Sequence, residues 1–318
     1  MIAFHIAGMN WFDAVNHAMA GISTGGFSTK NNNIAEYNSV YIDAAACFSM
    51  ITGAISFSDW YNLLIRGRIR RFLQSPEFRA LVALLALGSA AAAAIFLRYG
   101  YSLYKALRYG IFDIVTTMTT TGFQNSSLTN IPPVLKGLLV TFSLIGGSAF
   151  STTGGIKLLR LIIAVKALQW EAESVSAPRG YIPRRRLAWI ILDDDMVRSA
   201  LVLIFAFSAT EIIGTLIAAM FLPPKWSFAD IALETASALG NVGISVGITS
   251  AAMPLAVKIL YIILMLLGRL EILPYIFAVH LLYSRLIEWT KARRGLELLE
   301  TPIHMPAKKR SVKSAKRA

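Results

Sequence analysis

The chain has 318 residues, with 31 Lys and Arg against 18 Asp and Glu, a formal net charge of +13. Only 15% of it is charged and 55% is hydrophobic, with a mean hydropathy of +0.57, whereas soluble domains carry roughly 25% charged residues. This excludes a water-soluble globule and a disordered chain, and the single cysteine, Cys47, excludes a disulfide framework and a cysteine-based zinc site.

The remaining class is an all-α, polytopic membrane protein. Met1–Met9 is too short for the apolar core of a signal peptide and lacks a cationic leader, so none is expected. A crossing helix needs about 20 mostly apolar residues. Such stretches run over 40–65, 78–97, 134–168, 196–222 and 254–289. The second has an Ala-rich centre, Ala90 to Ala94, suited to close helix contact. The 134–168 and 254–289 stretches exceed one crossing, so each tilts, extends past the bilayer or breaks.

Lys and Arg flanks set the orientation. Arg66, Arg68, Arg70, Arg71 and Arg79 lie between the first and second stretches, and Arg179, Arg184, Arg185 and Arg186 between the third and fourth. The tail carries Lys308, Lys309, Arg310, Lys313, Lys316 and Arg317. These places, the C-terminus included, are expected on the cytoplasmic side of a bacterial inner membrane. Arg98, Lys105 and Arg108 are outside cations against the rule, but fewer. A basic tail after the last span reads as a solvated membrane-surface segment in contact with lipid, with no nucleic-acid partner.

On the outer side three segments repeat. Aligned on Gly26, Gly122 and Gly243, each has a polar or acidic residue nine positions earlier (His17, Asp113, Glu234) and an apolar residue just after the glycine. Each is followed by a polar stretch and then a spanning helix. One copy alone would read as a Gly/Thr turn capping an ordinary helix; three copies, each before a spanning helix, read as pore loops. A helix of about three turns cannot cross, so it dips in and returns as extended backbone, which is tolerated only where buried or lining a wet cavity. There its carbonyls can replace the hydration shell of a cation, glycine supplying the needed dihedrals.

The run from Gly146 to Gly155 interrupts an apolar helix and lacks the spacing of a phosphate loop, because Gly155 is followed by Ile156 and then Lys157-Leu158. It is expected to be unwound and to line the pore below the loops. Arg269 and Glu271, inside the last apolar stretch, each require a polar partner. Glu211 and His280 read as satisfied structural groups, and His17, Asp113 and Glu234 as supports of the short helices or as negative potential at the entrance. Gly21-Ile22-Ser23-Thr24-Gly25 matches a nucleophile elbow, with His280 available to a membrane serine hydrolase. That motif needs a strand before it, and here a short helix precedes it, so no enzyme and no cofactor are expected.

Ser23-Thr24-Gly25-Gly26-Phe27-Ser28, Thr119-Thr120-Thr121-Gly122-Phe123, Asn241-Val242-Gly243, Gly146-Gly147-Ser148-Ala149-Phe150-Ser151-Thr152-Thr153-Gly154-Gly155-Ile156-Lys157 and Gly268-Arg269-Leu270-Glu271, with Gly8-Met9-Asn10-Trp11-Phe12-Asp13, resemble the Trk/Ktr/HKT superfamily of potassium transporters, most closely the bacterial Trk-H type. The resemblance covers nearly all of the chain except the Lys-rich tail. It implies helix–pore loop–helix repeats arranged pseudo-fourfold around one potassium filter. Residues 1–75 correspond to repeat two, 76–180 to repeat three with its broken second helix, 181–295 to repeat four, and 296–318 to the tail. The first repeat and the leading helix of the second have no counterpart, so the resemblance implies either a non-conducting remnant or a pore completed elsewhere, for instance by a separate chain supplying repeat one.

By the same resemblance the potassium-binding filter falls on Thr24, Gly25 and Gly26, on Thr120, Thr121 and Gly122, and on Asn241, Val242 and Gly243. The loops differ, implying an asymmetric site that admits some sodium or rubidium. The gate falls on Gly146, Gly147, Ser151, Thr152, Thr153, Gly154, Gly155 and Lys157, with Arg269 as the partner of that intramembrane loop. Potassium is the transported substrate. The implied partners are a second copy of the chain and a cytosolic nucleotide-binding regulatory subunit.

Overall fold

The computed structural model describes residues 1–176, 186–187, 190–269 and 281–285. Contacts divide the chain into Met1–Ile272 and Leu273–Ala318. Of the second unit the described residues are 281–285, which are helical. Glu271, His280, His304, Arg179, Arg184, Arg185 and the Lys-rich tail lie outside the described residues.

The first unit is built almost wholly of helices: α1 (Ile2–Ile6), α2 (Trp11–Ile22), α3 (Val40–Ala54), α4 (Phe57–Leu64), α5 (Ile69–Leu73), α6 (Pro76–Arg98), α7 (Leu103–Met118), α8 (Pro133–Leu144), α9 (Leu158–Ser176), α10 (Asp194–Phe221), α11 (Phe228–Leu239) and α12 (Leu255–Arg269). A short 3-10 helix, Asn33–Tyr37, precedes α3, and β1 (Arg186–Leu187) pairs antiparallel with β2 (Ile190–Ile191) between α9 and α10.

Among the described residues two helices are long and apolar enough to cross a membrane by themselves, α6 with 23 residues and α10 with 28, within two residues of the expected stretches. In α6 the Ala-rich centre faces α7, with Ala92 and Ala93 buried. The other stretches differ. The 134–168 stretch breaks between α8 and α9, the third of the outcomes expected for it. The 40–65 stretch, expected as one span, bends by 101° between α3 and α4. Ser56 causes this locally: it is extended, its hydroxyl accepts from the Ser58 amide at 3.2 Å, and so it starts a new helix rather than continuing the old one.

α2, α7 and α11 have 12, 16 and 12 residues, too few to cross. Each starts at a side-chain cap, Asn10, Ser102 and Ser227, the last reciprocated by Asp230 in a capping box. Each is followed by a turn, an irregular stretch and a second helix: α3, α8 and α12 in order. α3 packs on α7 and α8 packs on α11, so the second helix of each unit backs the short helix of the next.

Candidate functional site

The three short helices end alike. Ser23, Thr119 and Gly240 are still right-handed. Thr24, Thr120 and Asn241 then turn left-handed, with φ of 51°, 51° and 56°. After one further residue Gly26, Gly122 and Gly243 again have positive φ, 67°, 88° and 89°. The amides of Gly25, Thr121 and Val242 donate back to the carbonyls of Ala20, Thr116 and Ser237 at 2.8, 3.0 and 2.8 Å, which satisfies the last turn of each helix. A non-glycine residue in the left-handed region is uncommon. Its recurrence at three matched positions marks one repeated device. The turn also frees oxygens: among the described residues no donor reaches the carbonyls of Thr24, Gly25, Thr120, Thr121, Gly122, Asn241, Val242 or Gly243. Unpaired backbone oxygens on residues that are mostly buried are what a hard monovalent cation accepts in place of water.

The turns abut in sequence order. A Cβ on Gly26 would stand 2.0 Å from the Thr121 carbonyl oxygen, and one on Gly122 would stand 2.1 Å from that of Val242. Around Gly243 a Cβ would meet nothing nearer than the Gly122 Cα at 4.0 Å. Beyond it opens a cavity of about 740 Å³. The first loop turn lines it through Ser23, Thr24 and Gly25, the third through Asn241, Val242 and Gly243, and α12 through Tyr261 and Arg269. The middle turn is enclosed, with Thr120, Thr121 and Gly122 all buried, while Gly25 and Gly243 are exposed.

The matched polar residues have distinct roles. His17 Nε2 meets Ser28 Oγ at 2.9 Å, and Nδ1 meets the Asp13 carbonyl at 2.7 Å. Glu234 accepts from Ser245 Oγ at 2.7 Å and from the amides of Val246 and Thr249 at 2.9 and 2.8 Å. Both therefore brace the ascending strand that follows their own turn. Asp113 does not: it is buried, and its Oδ2 has no hydrogen-bond partner.

Ion pairs tie neighbouring units. Lys136 on α8 donates to Asp230 on α11 at 2.5 Å and to the Thr129 carbonyl at 3.0 Å. Arg108 on α7 donates to Asp43 on α3 at 2.7 Å and to Asn38 at 2.9 Å, and Asn125 also donates to Asp43 at 3.0 Å. Asp13, the counterpart of Asp230 in α2, is held within its own unit, by Thr29 Oγ1 at 2.5 Å and Lys30 at 3.5 Å. The Thr29 hydroxyl, aided by Lys30 and opposed by burial, keeps the Asp13 carboxyl below its ordinary range.

The segment between α8 and α9 is unwound but held at many points. A parallel bridge joins Ile145 and Ile156, with the Gly146 amide donating to Ile156 and that of Ile156 to Leu144, both at 2.8 Å. The Gly147 amide donates to Thr153 Oγ1 at 2.9 Å, Ser151 and Thr153 hydroxyls meet at 2.8 Å, and Lys157 Nζ donates to the Thr153 carbonyl. It also reaches the loop turns. The Gly154 amide donates to Thr120 Oγ1 at 2.7 Å, and Thr152 Oγ1 lies 3.2 Å from Thr24 Oγ1 and 3.0 Å from the carbonyls of Ile22 and Gly53. Arg269 Nη1 donates to the Thr152 carbonyl at 3.3 Å. That contact needs α12 close to the turns, and Gly268 allows it: a Cβ there would fall 1.7 Å from the Leu239 carbonyl oxygen.

The residues named from sequence thus converge: the middle turn lies against the other two, the 145–157 segment touches two turns through Thr24 and Thr120, Gly155 supplies a left-handed turn at its end, and Arg269 has its partner. Sequence reasoning missed Lys136, Asp230, Asp43 and Glu77, whose Oε1 accepts from the Ala149 amide at 2.7 Å. Lys136 could have been found as a cation inside an apolar stretch, which demands a partner. Among the described residues the nucleophile-elbow reading has no geometry behind it; His280, the histidine it would use, lies outside them. A helix precedes Ser23, whose hydroxyl turns back on the Ala20 carbonyl at 3.4 Å, while the described histidines, His5 and His17, bond the Met9 carbonyl and Ser28.

The family description "TrkH: Cation transport protein" matches residues 5–285. The Trk system potassium uptake protein TrkH of Halomonas elongata is 30% identical over 281 residues, covering 85% of this chain and 56% of the relative. The uptake protein TrkG of Escherichia coli is 28% identical, covering 87% of this chain and 57% of itself, and an uncharacterized cation transporter of Methanocaldococcus jannaschii is 28% identical, covering 92% and 58%. The crystal structure of the potassium transporter TrkH from Vibrio parahaemolyticus superposes with a TM-score of 0.78 at 26% identity, covering 87% of this chain and 60% of that one. The chain therefore spans rather less than two thirds of the length of the relatives it matches.

Proposed function

Because the chain belongs to the TrkH family of cation transport proteins, we propose that its three loop turns are three walls of a potassium-conducting pore, with Thr24, Gly25, Gly26, Thr120, Thr121, Gly122, Asn241, Val242 and Gly243 as the filter. The observation that carries this reading is the threefold left-handed turn with its unpartnered carbonyl oxygens. A cation entering such a site exchanges water for backbone oxygen, and the Thr hydroxyls and the Asn241 side-chain oxygen are further oxygens the turns offer. Conduction is passive. An interior-negative potential of 100 mV supplies about 2.3 kcal/mol per monovalent cation. The Arg66 to Arg79 flank faces the cytoplasm, and the membrane is the bacterial inner membrane.

The 145–157 segment is the gate. With Gly146, Gly147, Ser151, Thr152, Thr153, Gly154, Gly155 and Lys157 folded against the turns and Arg269 holding Thr152, it obstructs the path below the filter, and release of the Arg269–Thr152 contact is the opening step. The fourth wall is a further helix–loop–helix unit occupying the cavity between the first and third turns. The packing rule supports this: each second helix backs the next short helix, so α12 calls for a successor and α2 for a predecessor. That unit comes from further residues of the same polypeptide or from a separate chain. The working complex pairs two copies and takes a cytosolic nucleotide-binding regulatory subunit, as the resemblance implies.

The test is potassium-limited growth of an uptake-deficient bacterium, with rubidium uptake as the direct readout. Expression together with a fourth unit is expected to restore uptake, and Gly122→Ser to remove it. A chain that reaches the membrane yet restores nothing in either combination would be a non-conducting remnant.

A further inference from the structure

The elbow formed by α4 and α5 has no role in the pore as described, yet it is built in an unusual way. It leaves α3 at 101°, so where α3 stands across the membrane, α4 runs close to the plane of its surface. Phe57, Leu64, Ile65 and Ile69 are exposed apolar side chains on it. Among them stand Arg66, Arg68, Arg70 and Arg71, all exposed, with the Arg66 guanidinium 5.1 Å from the Tyr61 ring. Apolar side chains interleaved with cations along a short elbow that leaves a spanning helix near the membrane surface match the acyl–headgroup boundary. Arginine in particular presents a planar fork that suits phosphate oxygens.

The elbow is also rigid and wired to the 145–157 segment. Trp60 Nε1 donates to the Thr52 carbonyl at 3.1 Å, Ser75 Oγ donates to Asp59 at 2.8 Å, and the Phe72 and Phe78 rings lie 4.4 Å apart. From its start, and from the first turn of α6 just beyond it, come bonds to consecutive residues of the segment. The Phe57 amide donates to the Phe150 carbonyl at 3.1 Å, and Glu77, two residues past Ser75, accepts from the Ala149 amide at 2.7 Å. Phe150 itself has a φ of 57° and is 79% exposed. A bulky residue in the left-handed region persists only when its surroundings over-determine it, and these two flanking bonds do so.

We propose that the α4–α5 elbow is a binding site for anionic phospholipid headgroups, held by Arg66, Arg68, Arg70 and Arg71 with the apolar residues in the acyl layer, and that its occupancy sets the conformation at Phe150. The second half rests on the reading of 145–157 as the gate; the lipid site does not. A free phosphate is not the ligand here, because it would leave the apolar side chains between the arginines without a partner.

The binding arm uses the purified full chain and native mass spectrometry with phosphatidylglycerol against phosphatidylcholine. Preference for phosphatidylglycerol is expected, weakened roughly tenfold or more when all four arginines become Gln, and unchanged in Lys105→Gln on the opposite face. It should also fall as salt rises. A preference retained by the quadruple variant, or insensitive to salt, overturns the site, including the case in which these arginines serve a protein partner instead. The coupling arm reads alkylation of Phe150→Cys in a Cys47→Ser background, in nanodiscs of either lipid. A rate that differs severalfold between the lipids, and no longer differs in the quadruple variant, supports the coupling. Equal rates overturn it, whatever the chain conducts.

Discussion

The middle loop turn and the pair that flanks the cavity are the same device in two settings. Thr120, Thr121 and Gly122 are buried with a neighbour on each side; Gly25 and Gly243 are exposed, with a cavity of about 740 Å³ between their turns. The backbone is the same in all three, down to the left-handed residue before the glycine. The turn conformation is therefore set inside each unit, by the helix-ending bonds to Ala20, Thr116 and Ser237. Neighbours add enclosure rather than shape. On the reading proposed above, such turns have their oxygens in place before a fourth wall is added, and what that wall would supply is exclusion of water and lipid from the open side.

The largest expected break in this comparison is at glycine. In Gly122→Ala the new Cβ meets the Val242 carbonyl oxygen at 2.1 Å at a φ of 88°, so backbone must move. A left-handed penalty plus overpacking totals about 4 kcal/mol. Gly243→Ala has nearly the same φ, 89°, but open space, and should cost only about 1 kcal/mol. Unfolding of the two variants in detergent measures the difference. Equal losses would mean that the cavity side is as tightly built as the interior. With a fourth wall in place the Gly243→Ala cost should rise toward that of Gly122→Ala.

Next in size are the ties between units. Lys136 and Asp230 join the second and third units with side-chain exposures of 6% and 12%, and breaking such a pair from one side leaves a charge buried, at a cost of about 3 kcal/mol. Lys136→Met should thus be strongly destabilising, and the double change Lys136→Met with Asp230→Leu much less so. Lys30, a third exposed at 34% and 3.5 Å from Asp13, pairs within its own repeat, and Lys30→Gln should cost under about 1 kcal/mol. Thermal unfolding of the three variants checks the order. A large effect at Lys30 would put a cross-unit role on Asp13 that its present partners do not suggest.

These same contacts mark where sequence stopped being informative. The turns were legible because each is local: the residues from His17 to Ser28, or Glu234 to Ser245, carry the whole device. The long helices α6 and α10 were legible because a membrane span is a compositional object. Arg108, by contrast, read as an outside cation against the charge rule, and the structure makes it the half-buried partner of Asp43, 65 positions earlier. Lys136 and Asp230 are 94 positions apart. A cation in an apolar stretch announces that a partner exists, but nothing local says which residue it is. The bend at Ser56 was missed for another reason: hydropathy averages over a window and is blind to direction, so a span and an elbow of equal apolarity look alike. A serine cap inside the run was the available clue.

The smallest expected effect is also the most discriminating, because it sets two residues of one alignment column against each other. Glu234 accepts three hydrogen bonds from the strand after its own turn, two of them from backbone amides. Glu234→Gln keeps the size, replaces one acceptor oxygen by a donor that faces donors, and should cost about 2 kcal/mol. Asp113, its counterpart, sits fully enclosed with Oδ2 unpartnered, and only its backbone carbonyl is used, by the Thr117 hydroxyl. Asp113→Asn removes the possibility of a bare charge there without breaking a side-chain bond, so stability should stay within about 0.5 kcal/mol or rise. If cation uptake nonetheless falls in Asp113→Asn while folding does not, the residue acts through its potential at the middle turn. The enclosed turn then differs from the flanking two in charge as well as in surroundings.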